Sequence, residues 1–176
     1  GRIPGIRLSR IKSLKSLNLG DCDFNGEIPT QFGKMKNLTS LVLSNSGLNG
    51  TIPTNIAGMT SLEVLDLESN GFSFLPRAIG DMTSLKSLSV SNNQIQGTIH
   101  TEFGQLVNLE QFFISLNEFG YQIPTEMGLL TNLRDFDISN NQVIGTVPAE
   151  LGALTGLRQF RITGNRIGGT IPASLS

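Results

Sequence analysis

Apolar residues recur along this chain in a fixed frame. Leu14, Leu38, Leu62, Leu85, Leu109, Leu133 and Leu157 open the same pattern, at spacings of 24, 24, 23, 24, 24 and 24 residues. Apolar residues follow at the third and fifth positions, an Asn or a substitute at the eighth, and another apolar residue at the tenth. The stretch Leu133-Arg134-Asp135-Phe136-Asp137-Ile138-Ser139-Asn140-Asn141-Gln142-Val143 carries every feature. A fixed period of this length marks stacked repeats, none of which buries its apolar face alone.

Within each repeat the third and fifth positions alternate with polar residues, which predicts a short strand with one buried face. The inward set begins with Leu17 and Leu19, Leu41 and Leu43, Leu65 and Leu67, and Leu88 and Val90. It continues with Phe112 and Ile114, Phe136 and Ile138, and Phe160 and Ile162. Stacked coils would bury that face as a parallel sheet, with strands about 4.8 Å apart. At the eighth position, Asn70, Asn93, Asn117, Asn141 and Asn165 are expected to satisfy backbone groups where the chain turns away. Cys22 and Ser46 fill the same slot, so Cys22 reads as a structural substitute and not as a reactive thiol.

The second half of the repeat is equally regular. Gly26-Glu27-Ile28-Pro29, Gly50-Thr51-Ile52-Pro53, Gly145-Thr146-Val147-Pro148 and Gly169-Thr170-Ile171-Pro172 share one form. Gly permits a tight backbone, Ile or Val returns to the core, and Pro starts a turn or short helix on the outer side.

These motifs resemble the plant-type leucine-rich-repeat family, whose repeat reads L-x-x-L-x-L-x-x-N-x-L-x-G-x-I-P-x-x-I/L-G-x-L. The resemblance covers nearly the whole chain and recurs seven times. Similar arrays occur in plant receptor-kinase ectodomains, receptor-like proteins and polygalacturonase-inhibiting proteins. The wording T-E-(F/M)-G and L-L-T-N-L also resembles algal and diatom repeat proteins. The resemblance implies an α/β solenoid, a right-handed horseshoe with a concave parallel β-sheet, short flank strands, and convex turns or short helices. Partners of such arrays usually sit on the concave or lateral surface.

Residues 1–176 thus read as one leucine-rich-repeat domain, a degenerate half repeat over 1–13 followed by the seven repeats. The third repeat is one residue short and lacks its Gly, at Asn70-Gly71-Phe72-Ser73-Phe74-Leu75-Pro76, so the flank strand is expected to weaken or break there. His100 replaces the proline of the fourth repeat, and Tyr121 takes the usual Gly position of the fifth. Paired-cysteine caps, common at the ends of secreted members, are missing. Uncapped terminal coils expose core, which points to a piece of a longer protein.

Charge and composition remove several functions. With 13 basic and 14 acidic residues, the chain has no basic surplus for nucleic acid or an anionic membrane. No apolar run approaches the roughly 20 residues of a membrane helix, and the first residues do not form a signal peptide. One cysteine and one histidine make neither an internal disulfide nor a metal cluster. No G-x-S-x-G or G-x-G-x-x-G motif occurs, so no cofactor and no catalysis are expected. Asp66 with Glu68, and Asp135 with Asp137, pair carboxylates on one strand face. An open surface does little to raise a carboxylate pKa, so these pairs read as a solvated or partner-binding face.

The outward residues at the second, fourth, sixth and seventh positions form the candidate binding surface. Early coils are small and polar there, with Val42 and Val64 as aliphatic exceptions. Asp66 and Glu68 follow, then Ser87, Ser89 and Ser91, then Gln111, Phe113 and Leu116, then Asp135 and Asp137, then Gln159 and Arg161. Of Phe112-Phe113, alternation sends Phe112 inward and Phe113 outward. Phe113 beside Leu116, rimmed by Asp137 and Arg161, has the make-up of an interface anchor. Isolated exposed hydrophobes are also ordinary. Asn37-Leu38-Thr39 and Asn49-Gly50-Thr51 are N-glycosylation sequons, which makes Asn37 and Asn49 glycan candidates and favours an extracellular or secretory-lumen location.

The leading expectation is a recognition module for a protein or peptide ligand, with a cell-wall polysaccharide as one version of it. A structural or adhesive subunit of a larger assembly is the second reading. The third is ice or crystal-surface binding by a ladder of Thr51, Thr98, Thr146 and Thr170, which Glu27, Gln122 and the short third repeat interrupt.

Overall fold

In the computed structural model, which describes residues 1–175, the seven predicted strands form one parallel sheet in sequence order. They are Ser16–Asn18, Ser40–Val42, Val64–Asp66, Ser87–Ser89, Gln111–Phe113, Asp135–Asp137 and Gln159–Arg161. The register is unbroken. Leu17, Leu41, Leu65, Leu88, Phe112, Phe136 and Phe160 lie opposite one another along the array, as the period requires.

The core follows the alternation. Leu41, Leu65, Leu88, Phe112 and Phe136 are buried, whereas Phe160 and Ile162 in the seventh coil are half covered, because no further described coil packs on them. In the second half of the array the aliphatic column becomes aromatic. The Phe112 and Phe136 rings stack 5.6 Å apart at 2°, and Phe136 stacks on Phe160 at 5.4 Å, while Phe103 meets Phe112 edge to face. Offset stacking adds attraction beyond the buried area.

The asparagines act as expected. Asn117 donates to the carbonyls of Val90, Ile114 and Ser115, and its oxygen accepts from the Ile95 N–H. Asn70, Asn93, Asn141 and Asn165 repeat the arrangement. Ser46 substitutes by donating its hydroxyl to Leu19 and Ser44 carbonyls. Cys22, in the same slot, is an exposed free thiol.

The convex side is built from 3-10 turns, Thr30–Lys34, Thr54–Gly58, Arg77–Asp81, Thr101–Gln105, Thr125–Leu129 and Ala149–Ala153. Gly at the fourth position of these turns, or at the fifth in Thr54–Gly58, lets successive coils touch: a Cβ on Gly104 would lie 2.6 Å from the Glu126 carbonyl oxygen. His100 holds φ −74° and ψ 141°, close to Pro124 at −64° and 141°, so it keeps the backbone of the proline it replaces.

The flank departs from expectation. The short third repeat keeps its strand, Gly71–Phe74, which pairs with Asn49–Thr51 through a register shift that places Thr51 opposite Phe74. The ladder lapses on the other side instead. Gln96–Thr98 pairs forward with Glu118–Gly120, and Ile144–Gly145 with Arg166–Ile167, so the described flank strands come in twos. The shift leaves Ser73 as an extra residue on the third repeat's strand, the pattern of a β-bulge.

Candidate functional site

The concave face is more closed than alternation alone suggests. Val42, Val64, Asp66, Asp135 and Asp137 are half-buried, and only Glu68, Leu116 and Arg161 of the candidate set are well exposed. Ser89 and Ser91, expected outward, are buried. Their short side chains are overshadowed by longer neighbours. The Ser89 hydroxyl lies 3.4 Å from Glu68, and Ser115 donates to Ser91 at 3.0 Å.

Phe113 requires the same correction. It stands on the outward face as expected, but it is half-buried, because it lies in register between Ser89 and Asp137. Asp137 is itself held in place. Its carboxylate accepts from the Ser139 N–H at 2.9 Å and the Ser139 hydroxyl at 2.6 Å, and Arg161 lies 3.9 Å away. Asp66 similarly accepts from the Glu68 N–H. One carboxylate of each pair, Asp66 and Asp137, is therefore tied to its own turn, and among the described residues no group of His, Cys, Asp and Glu is placed to hold a metal ion.

Leu116 is the outlier. At the seventh position of each repeat the backbone is left-handed, with φ between 51° and 69° at Asp21, Asn45, Ser69, Asn92, Leu116, Asn140 and Gly164. Asp, Asn and Gly tolerate that conformation, but a leucine there pays for its Cβ. Leu116 is also 52% exposed. A strained, exposed aliphatic residue at the edge of a sheet gains nothing for folding, which directs attention to binding. The column Asp, Asn, Ser, Asn, Leu, Asn, Gly was visible in the sequence, but its conformation was not.

A charged ladder runs along the opposite edge of the sheet. Lys86 bonds Glu63 at 2.8 Å and Arg134 pairs with Glu110 at 2.7 Å. The Glu63 hydrogen bond and charge raise the Lys86 pKa above its ordinary value. A shallow depression of about 370 Å³ lies here, lined by residues that include Val64, Gln111, Asp135 and Arg158.

Of the sequon residues, Asn37 and Asn49 are both exposed. Asn37 uses its amide to bond the Lys12 carbonyl at 2.9 Å. The threonine ladder does not form a continuous row. Phe74 and Gln122 stand between its members, so only Thr146 and Thr170 belong to adjacent coils.

Comparison with known proteins agrees with this geometry. A family model for a leucine-rich repeat region matches residues 6–123, and a leucine-rich repeat model matches 132–154. No curated protein matches the chain in sequence. Among solved structures, the plant peptide hormone receptor RGFR1 in complex with RGF2 is similar at 32% identity and a TM-score of 0.96, over 99% of this chain and 28% of that one. The Arabidopsis receptor kinase HAESA ectodomain, in complex with an extended IDA peptide hormone ligand, matches at 34% identity and 0.93, over 99% and 29%. A plant ice-binding protein shares the fold alone, at 22% identity and 0.70, over 98% and 71%. The chain thus spans less than a third of the length of the two receptors.

Proposed function

Because the chain belongs to the leucine-rich-repeat family, we propose that it is a non-catalytic recognition module that binds a protein or peptide across its concave face, with Leu116 and Phe113 as the apolar anchor. The observation that carries this reading is Leu116, exposed and left-handed where the other coils place Asp, Asn, Ser or Gly. Phe113 supplies a half-covered ring in the same coil, Ser115 and Asn140 supply hydrogen-bonding groups, and Asp137 with Arg161 supplies a charged rim. An apolar centre with a polar rim is the usual anatomy of a binding patch.

The two receptor structures support the ligand class, since both hold peptide hormones. The HAESA structure is of a receptor ectodomain, which together with the two sequons favours an extracellular or secretory-lumen location here. A polysaccharide ligand draws less support, because sugar rings favour open aromatic platforms and Phe113 is half-buried. The structural-subunit reading remains the alternative, distinguished by whether binding depends on the concave anchor.

The test uses the recombinant domain as bait against extracellular protein from its source, with captured partners identified and their affinity measured. Leu116→Asn places a residue already used at Asn45, Asn92 and Asn140, so the coil is preserved. Affinity is expected to fall about tenfold or more, as for the loss of a central anchor. A partner held equally by wild type and Leu116→Asn would remove the concave reading.

A further inference from the structure

Four successive coils each break the repeat once on the flank, and the breaks form one row. In the third coil Phe74 stands opposite Thr51. In the fourth, His100 takes the proline slot and meets the ring of Phe74 at 6.3 Å and that of Phe103 at 5.5 Å. In the fifth, Tyr121 takes a left-handed slot, φ 60°, that Gly26, Gly50, Gly97, Gly145 and Gly169 fill elsewhere. In the sixth, Ile144 occupies the slot of Asn25, Asn49 and Gln96. Phe74 and Ile144 are each 43% exposed and Tyr121 is 68% exposed.

Neither Tyr121 nor Ile144 serves the core. Tyr121 carries the steric cost of left-handed backbone and covers little, and Ile144 exchanges a soluble side chain for an exposed aliphatic one. Between them lies a groove of about 550 Å³ with Ile99 and Ile123 in its floor and Glu102 and Glu126 at its lip. No Lys or Arg lines it. The Thr101 and Thr125 hydroxyls lie 3.3 Å from these two carboxylates. A backbone hydrogen bond holds Glu102 below the ordinary carboxylate pKa. Arg77, at 4.0 Å, approaches Glu102 from outside the groove.

We propose that this flank is a second docking surface, separate from the concave face, for a protein segment that carries an apolar side chain next to a lysine or arginine. The apolar walls fix the first requirement. The two carboxylates at the lip, with no Lys or Arg in the groove lining beside them, fix the second, since they attract a cation and penalise an acidic segment.

The test selects displayed random dodecapeptides on the domain, with counter-selection against Tyr121→Gly/Ile144→Asn. Both replacements restore residues that other coils use at those slots, so the variant is expected to fold. Selected peptides are then titrated against the domain by fluorescence. Tyr121 is the chain's single tyrosine and there is no tryptophan, so the signal reports on this groove.

Enriched sequences are expected to pair an apolar residue with Lys or Arg and to saturate the Tyr121 signal. They are expected to bind about tenfold more weakly to Glu102→Gln/Glu126→Gln and to be indifferent to Leu116→Asn. Failure to recover peptides that depend on Tyr121 or Ile144 would overturn the proposal. Binders without basic enrichment, or equal binding to the double Gln variant, would overturn it too. Because Leu116→Asn is scored separately, failure here is distinguishable from failure of the concave reading.

Discussion

Asn141 and Ile114, 27 positions apart, are joined by a buried hydrogen bond of 3.0 Å from side-chain amide to backbone carbonyl. The same amide reaches the Ile138 and Ser139 carbonyls, and the Asn141 oxygen accepts from the Phe119 N–H at 3.0 Å. One side chain therefore closes its own turn and fastens it at two points to the preceding coil.

Asn141→Ala removes all four bonds and leaves the Phe119 N–H buried without a partner. The expected loss is about 2–4 kcal/mol, above an ordinary hydrogen bond because the orphaned groups cannot reach water. The urea midpoint of the purified domain measures it. Asn165→Ala, in the more open last coil, is expected to cost less.

Gly104 sits where the fourth and fifth coils touch on the convex side. Gly104→Ala places a methyl group 2.6 Å from the Glu126 carbonyl oxygen, against backbone that cannot swing aside. Overpacking of this kind costs roughly 1–3 kcal/mol. Gly168→Ala, whose Cβ would meet nothing within 4 Å, serves as the control in the same thermal melts.

Leu116→Asn is expected to act in opposite directions on stability and binding. Relief of the left-handed leucine should stabilise the domain by up to about 1 kcal/mol, seen as a higher melting temperature. Ligand affinity should fall in the same variant. A lower melting temperature would show that Leu116 packs in the fold and is not a strained surface anchor.

Expression through a secretory pathway is expected to attach a glycan at Asn49, for which the structure records no side-chain hydrogen bond. At Asn37 the amide bonds Lys12 and the sequon's Thr39 hydroxyl bonds the Lys15 carbonyl, so lower occupancy is expected. Intact mass before and after enzymatic deglycosylation, compared with Asn49→Gln and Asn37→Gln, measures both.

Much of this was legible in the chain. A strict period with apolar residues at its third and fifth positions identified Leu65, Phe112 and Phe136 as core, and the asparagine column as backbone ties. Phe113 was placed on the correct face and given too much solvent, because alternation states direction and says nothing about how far Ser89 and Asp137 shade a ring. His100 and Tyr121 stood out as departures in the sequence. That they lie in one row with Phe74 and Ile144 could be seen only once the coils were stacked.

By itself the sequence determined which residues point inward and which backbone groups the asparagines satisfy, because both follow from chemistry repeated every 24 residues. The tertiary structure alone decided that the short third repeat keeps its flank strand with a bulge, that Leu116 is held left-handed, and that His100, Tyr121 and Ile144 line one groove. These are relations between neighbouring coils, set by how each coil rotates and packs on the next, and no single repeat encodes them.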